Sequence, residues 1–306
     1  MTKKYLLAEI LDYTRAKVAS DKLRTPQSDL ERMIKDAQPV RNFRDALRGN
    51  GFGIIAEIKQ KSPSAGSMRR ENVHDAPSAY SESSLVRAVS VLTSEKYFGM
   101  SINDLHRLRP QISPPILRKD FIVDEYQIYE ARAHGADAVL LMANVLKSDE
   151  LLRFWNVCKA LGMDALFESH NAKQIAGLPS DARVCGVNSR LLDSGRVLGI
   201  DLFAISRWLH LDFTPHRGRF ELISKLPKQA VKVAESGVGS GNIAAVRDQG
   251  WNAALIGAAI LKDPAGVHSA LQSLQSSLSA SSRVTGQSSQ LQSSSVGKTL
   301  ESGLAS

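Results

Sequence analysis

Five charged residues stand where short apolar runs stop: Glu57 and Lys59 after Ile54-Ile55-Ala56, Lys119 after Ile116-Leu117-Arg118, Glu168 after Ala165-Leu166-Phe167, and Glu235 after Val233-Ala234. Asn188 and Ser236 hold equivalent places. Lysine and glutamate are seldom buried without a partner, so their recurrence at the ends of strand-like runs needs a reason. Gathered in one partly dry cavity, they shift one another's proton affinity, and a general acid and a general base then work near neutral pH. The chemistry this set points to is proton transfer.

Other chemistries find less support. No G-x-S-x-G elbow occurs, and Ser62, Ser64 and Ser236 have no histidine nearby in sequence, which disfavours a covalent serine mechanism. Histidines 74, 106, 134, 170, 210, 216 and 268 show neither H-x-x-x-H nor cysteine pairing at metal-ligand spacing, so neither a metal nor another cofactor is expected. The run Glu235-Ser236-Gly237-Val238-Gly239-Ser240-Gly241 does not fit the dinucleotide spacing G-x-G-x-x-G. Together with Gly257 and Ala258 after a later apolar run, it reads either as a pair of phosphate-holding loops rich in backbone N–H groups or as plain turns.

The elements that must position these residues are eight β-branched runs separated by helical patterns: Ile54 to Lys59, Ala88 to Leu92, Pro115 to Lys119, Ala138 to Met142, Ala165 to Glu168, Val184 to Val187, Val231 to Glu235, and Ala253 to Ile256. Such alternation predicts parallel strands joined by crossover helices, a (β/α)8 TIM barrel, with an open doubly wound sheet as the competing architecture. Gly135-Ala136-Asp137-Ala138 before the fourth run is echoed by Gly250-Trp251-Asn252-Ala253 before the eighth, a faint half-barrel repeat.

Residues 51–272 hold this catalytic barrel. Residues 1–50 read as a helical extension, with Leu6, Ile10, Tyr13 and Val18 on one face, suited to capping a barrel mouth. Residues 191–227 are long for one connection and are expected to hold a helix plus an inserted loop containing Trp208, Phe213 and Phe220. Residues 273–306, dominated by Ser, Gln and Gly from Gln275 onward, bury too little apolar surface to offset their ordering entropy, and a disordered, dispensable tail is expected.

The 306 residues, 43% hydrophobic and 23% charged, suffice for one large core. Met1 to Ala8 runs into Glu9 and Asp12 without a signal-peptide core, and no apolar stretch approaches the roughly 18 to 20 residues of a membrane helix. Cys158 and Cys185 lie in apolar runs, as reduced buried thiols do. The net charge of +8 admits a nucleic-acid reading, yet Lys and Arg are interspersed with acids and form no block of five or six, and an anionic small substrate explains the sign equally well. A cytoplasmic monomer is the expectation.

Several segments together resemble the indole-3-glycerol-phosphate synthase family. They are Ile55-Ala56-Glu57-Ile58-Lys59 with Ser62-Pro63-Ser64, Ser90-Val91-Leu92-Thr93 with Glu95-Lys96-Tyr97-Phe98-Gly99, and Leu117-Arg118-Lys119-Asp120-Phe121-Ile122. Further matches are Tyr126 to Arg132, Gly135 to Leu141, Gly186-Val187-Asn188-Ser189-Arg190, and Ala234-Glu235-Ser236-Gly237, so that the resemblance spans roughly residues 5 to 272. It implies a lyase that closes a ring on 1-(2-carboxyphenylamino)-1-deoxyribulose 5-phosphate with loss of carbon dioxide and water, and without metal or cofactor. By motif position Lys119 would be the general acid, Lys59 would bind anionic groups, and Glu57 and Glu168 would accept protons. Asn188, Glu235 and Ser236 would position hydroxyls and carboxylate, Phe121 would flank the aromatic ring, Gly237, Gly257 and Ala258 would contact phosphate, and Ser62 and Arg190 would complete the binding set. The alternatives at this point are another phosphate-binding barrel such as phosphoribosylanthranilate isomerase, and a silent paralogue kept as a binding module. The sequence departs from the family at Ser81-Glu82-Ser83-Ser84, a poor helix former, and at Leu191-Leu192-Asp193-Ser194-Gly195.

Overall fold

A computed structural model describes residues 3–49, 51–190, 196–197, 200–201 and 217–280. Eight parallel strands form the barrel: β1 (Gly53–Ile58), β2 (Val86–Leu92), β3 (Ile116–Lys119), β4 (Ala138–Met142), β5 (Asp164–Ser169), β6 (Val184–Asn188), β7 (Val231–Glu235) and β8 (Ala253–Ile256). They pair in chain order, and β8 returns to β1 with Ile54 against Ala254, which excludes the open sheet. Each expected run is a strand; β2 starts earlier, at Val86, because the preceding helix Arg70–Glu82 stops at the serine-rich stretch. The echoed glycines before β4 and β8 both turn the chain at φ +91°, a left-handed conformation that only glycine takes readily.

Side chains alternate along each strand, so every barrel strand feeds two cores. Ile55, Ala88, Leu117, Leu140, Leu166, Val233 and Leu255 fill the interior, whereas Ile54, Val89, Ile116, Val139, Phe167, Cys185 and Ala254 pack outward under the helices. Burial on both faces makes the runs nearly continuously apolar. Two residues beyond the interior set lie Glu57, Lys119, Glu168, Asn188 (after Gly186), Glu235 and Gly257. The same alternation that fills the barrel therefore aims these groups into its C-terminal mouth.

The extension is three helices, α1 (Lys3–Arg24), α2 (Gln27–Asp36) and α3 (Phe43–Arg48). α1 lies across the mouth side. Ile10 joins the interior cluster, Tyr13 meets Tyr97 edge to face at 5.7 Å beyond β2, and Lys22 pairs with Asp124 at 2.7 Å beyond β3. α3 closes the other end, where Phe43 and Leu47 enter the same interior cluster and Arg44 N donates to Asp164 Oδ2 at 3.0 Å. Asp137, wholly buried below β4, accepts from Arg41 N and Ile116 N, each at 2.7 Å, and from Arg109 at 2.5 Å. The extension thus stoppers both ends of the barrel rather than one mouth.

Within 191–227 the described parts are a two-stranded hairpin, Arg196–Val197 with Ile200–Asp201, and a 3-10 helix, Arg217–Lys225. Phe220 is buried against Trp251, ring centroids 5.4 Å apart; Trp208 and Phe213 lie outside the described residues. The expected boundary at 272 needs correction. A helix runs over 267–280, and its Val267, Ala270, Leu271, Leu274 and Leu278 are buried at helical spacing. Composition hid this because one leucine per turn suffices to bury a helix whose other faces are serine and glutamine. Residues 281–306 are outside the described residues.

A chain ending at Leu274 loses the burial of Leu278 and the hydrogen bond from Arg247 to the Leu278 carbonyl. Relative to a chain ending at Ala280, its melting temperature by calorimetry should fall by roughly 3 to 8 °C, the scale set by about 1.5 to 3 kcal/mol for one leucine.

Candidate active site

Glu57 is the centre of the mouth's first wall. Its carboxylate, 2% exposed, takes Lys119 Nζ on Oε2 at 2.9 Å and Lys59 Nζ on Oε1. A Cβ at Gly257 would overlap that Oε1, so the end of β8 leaves the space that the carboxylate fills. Burial pushes the Glu57 carboxyl up, but the Lys119 and Lys59 ammoniums outweigh it and hold the group at about 2. For Lys119 burial opposes the charge, and Glu57, Glu235 and Glu168 together more than reverse it, leaving this lysine above its ordinary value. Lys119 is thus a fixed cation. Glu57 is the counter-ion that sets two ammoniums side by side.

Lys119 is also fixed through its neighbour. Arg118 points away from the mouth, 3% exposed, and binds Glu130 at 2.8 Å, Asp120 at 3.2 Å, Thr93 Oγ1 at 3.1 Å and the Gln127 carbonyl at 2.7 Å. Fully partnered, this buried charge clamps the end of β3.

Across the mouth lie two more carboxyls. Glu168 Oε2 accepts from Asn188 Nδ2 at 3.1 Å, and Glu168 Oε1 lies 3.6 Å from His170 Nε2. Glu235, 1% exposed, finds no donor among the described residues. Burial first, and then the charge of Glu168, push its carboxyl well above the usual range. A Cβ at Gly186, between them on β6, would overlap Glu235 Oε1, which accounts for glycine there.

The rim is built from loops. Ser62 Oγ accepts from Ala65 N at 3.0 Å inside a small hairpin after β1, and Arg190 reaches from beyond β6 to Ser64 Oγ at 2.6 Å. Arg190 N donates to Asn188 Oδ1, and Ser189 Oγ to the Ser236 carbonyl, both at 2.9 Å. Ser236 and Gly237 take successive left-handed conformations, φ +67° and +72°, and Asn242 closes the loop on the Gly237 carbonyl at 2.8 Å. A Cβ at Gly239 would meet Ala259 at 3.8 Å, so the loops after β7 and β8 converge, with half-buried Gly257 and Ala258 beside them. Phe121 is buried in the apolar cluster that continues from the barrel interior to Ile10 of α1.

The fold therefore brings Glu57, Lys59 and Lys119 into one ion-paired group and sets Glu168, Asn188 and Glu235 together opposite it. Ser62, Arg190, Ser236, Gly237, Gly257 and Ala258 sit on the surrounding loops. Two residues were missed: His170 beside Glu168, and Ser90, wholly buried, in register with Glu57, its Oγ without a partner among the described residues. Both stand two residues beyond a chain position that alternates inward, Glu168 and Ala88, so the two-residue step would have found them.

The family model for indole-3-glycerol phosphate synthase matches residues 7–274. The chain belongs to that family. Among its relatives, indole-3-glycerol phosphate synthase of Bacteroides thetaiotaomicron is 34% identical over 85% of this chain and 94% of its own length. The enzyme of that name from Mycobacterium avium is 36% identical over 86% of this chain and 91% of its own. Among solved structures a 3-hexulose-6-phosphate synthase superposes with a TM-score of 0.50 at 14% identity, covering 74% of this chain and 99% of its own, a likeness of fold alone.

Because the folded value of Glu57, about 2, lies below its ordinary 4.5, the unfolded chain takes up this proton first as pH falls. The contribution to stability is complete above pH 4.5 and is lost between pH 4.5 and 2. Urea unfolding at stepped pH should show this loss in the parent chain, and Glu57→Gln should show a smaller one.

Proposed function

We infer that the two walls of the mouth divide the acid and base work of one reaction, with Lys119 as general acid and Glu168 as general base. The chain is a carboxy-lyase, an indole-3-glycerol-phosphate synthase of tryptophan biosynthesis, acting on a phosphorylated small molecule. The observation that carries the division of roles is the placement of a carboxylate-held cation at the end of β3 opposite a carboxylate at the end of β5 in one closed mouth.

Ring closure turns the sugar carbonyl of 1-(2-carboxyphenylamino)-1-deoxyribulose 5-phosphate into an alkoxide, a base strong enough to take a proton from a lysine whose proton affinity is raised. Lys119, charged and pinned by Glu57, stabilises that oxygen as charge develops and then protonates it. Loss of carbon dioxide restores electrons to the ring system; the hydroxyl formed in ring closure then leaves as water with a proton from Lys59, and Glu168 takes the ring proton released as the indole becomes aromatic. Lys59, on the other oxygen of Glu57, meets the substrate's anionic groups. Glu235, whose carboxyl burial and Glu168 push upward, stands with Asn188 and Ser236 to meet a substrate hydroxyl or carboxylate. Phe121 offers the aromatic ring an apolar flank. Gly237, Gly257 and Ala258 are the backbone positions for the phosphate, with Ser62 and Arg190 at the rim.

The same reading includes a cytoplasmic monomer that binds no nucleic acid. Supporting it, the large apolar side chains exposed among the described residues are few, Leu23, Met33 and Leu152, and both cysteines are free and buried.

Lys119→Met should lower the single-turnover rate roughly a hundredfold to ten-thousandfold while calorimetric binding of indole-3-glycerol phosphate persists. Lys59→Met should weaken that binding and spare more of the rate. Abolished product binding in Lys119→Met with near-normal chemistry would reverse the two assignments. Glu168→Gln, which keeps the shape and loses the proton acceptor, should reduce turnover far more than substrate affinity; an unchanged turnover number would remove it as the base.

A further inference from the structure

We propose that His170 is a positioning residue for the base, its Nε2 holding Glu168 on the oxygen that Asn188 leaves free. The proposal rests on the reading of Glu168 as the general base. Its ground is a geometry that no packing role requires. The His170 side chain is 4% exposed, and its Nε2 lies 3.6 Å from Glu168 Oε1, while Glu168 Oε2 is taken by Asn188. Among the described residues neither ring nitrogen has a hydrogen-bond partner, and neither has Glu168 Oε1. Three polar atoms have left water side by side. Proteins seldom tolerate that unless the atoms serve one another or a ligand.

The ring does not reach this place through a loose loop. His170 N donates to Gln174 Oε1 at 2.6 Å, and Gln174 N donates to Asn171 Oδ1 at 2.9 Å, the side-chain cap of helix Ala172–Ala176. The backbone beside the imidazole is therefore fixed at the end of β5. At 3.6 Å the pair stands outside hydrogen-bond distance, so the contact proposed requires the imidazole to turn toward Oε1. With Nε2–H on Oε1 and Asn188 on Oε2, the plane of the carboxylate is set from both edges. That is how a base is held against one carbon. An apolar side chain of similar size would fill the same space without burying two nitrogens, so packing alone does not explain histidine.

The contact also bears on proton affinity. The charged or titratable groups that act with Glu168 are Glu235 on β7 and Lys119 on β3, with Glu57 and Lys59 of β1 beside that lysine; Asn188 on β6 is neutral. A donor on a carboxylate oxygen favours the charged form. Removing the imidazole therefore makes Glu168 harder to ionise, and activity is lost at a higher pH as the medium is acidified.

The test uses His170→Leu, which keeps bulk and loses both nitrogens, and His170→Gln, whose amide reaches the same oxygen. In His170→Leu, kcat should fall roughly tenfold to a hundredfold, the scale at which partners of reactive groups act. KM should change little, and the acid limb of kcat should move to higher pH. His170→Gln should recover most of the rate and return the limb toward its original place. Circular dichroism and melting show that both variants fold. Titrating the ¹³C-labelled Glu168 carboxyl by NMR reads the contact independently of turnover. A titration that rises in His170→Leu and recovers in His170→Gln supports the contact even if Glu168→Gln removes Glu168 as the base. An unmoved Glu168 titration in folded His170→Leu overturns the proposal, and so does a His170→Gln variant as impaired as His170→Leu.

Discussion

Charge can be buried at the top of this barrel only where an opposite charge or a proton meets it. Glu57 is the residue that satisfies this condition for both lysines, and Glu235, buried beside Glu168, is pushed well above the usual carboxyl range. From this constraint follow the glycines at 186 and 257, whose missing Cβ atoms leave space for carboxylate oxygens. Carboxyls of one chemical type are shifted in opposite directions, Glu57 down by two ammoniums and Glu235 up by burial and by the charge of Glu168.

The rest of the fold delivers backbone ends to this layer accurately. Interior layers of Ile55, Leu117, Leu166 and Val233 set the level at which the next inward residue emerges. Outside the barrel, Arg118 is tied to Glu130 and Asp120, so the residue next to the acid is held by a network that never touches the mouth. Catalysis by positioned groups loses efficiency with displacements well below a residue's width, which gives such remote clamps their value.

The strands were legible in the sequence because burial on both faces leaves a simple trace, β-branched runs bounded by turns. The mouth was legible because charged residues at the ends of such runs are anomalous. Less visible was anything decided by partners distant in sequence. Glu57 and Lys59 are neighbours in sequence, but that Lys119, on another strand, takes the second oxygen of Glu57 is seen only in the fold. His170 and Ser90 looked ordinary because neither type is rare near a strand. The helix over 267–280 was masked by serine and glutamine on its exposed faces, although Leu271, Leu274 and Leu278 keep the spacing that buries one side. Its misreading came from averaging composition where periodicity carried the information.

The double stopper made by the first helices bears on the order in which the chain takes shape during synthesis. Arg41 waits for Asp137, Arg44 for Asp164, and β1 for β8, its neighbour across the closing seam. The earliest residues to leave the ribosome are thus among the last to find their partners, and the emerging barrel is an open sheet with two bare edges until its final quarter arrives. Contacts this distant along the chain make assembly slow compared with a helical bundle of equal size.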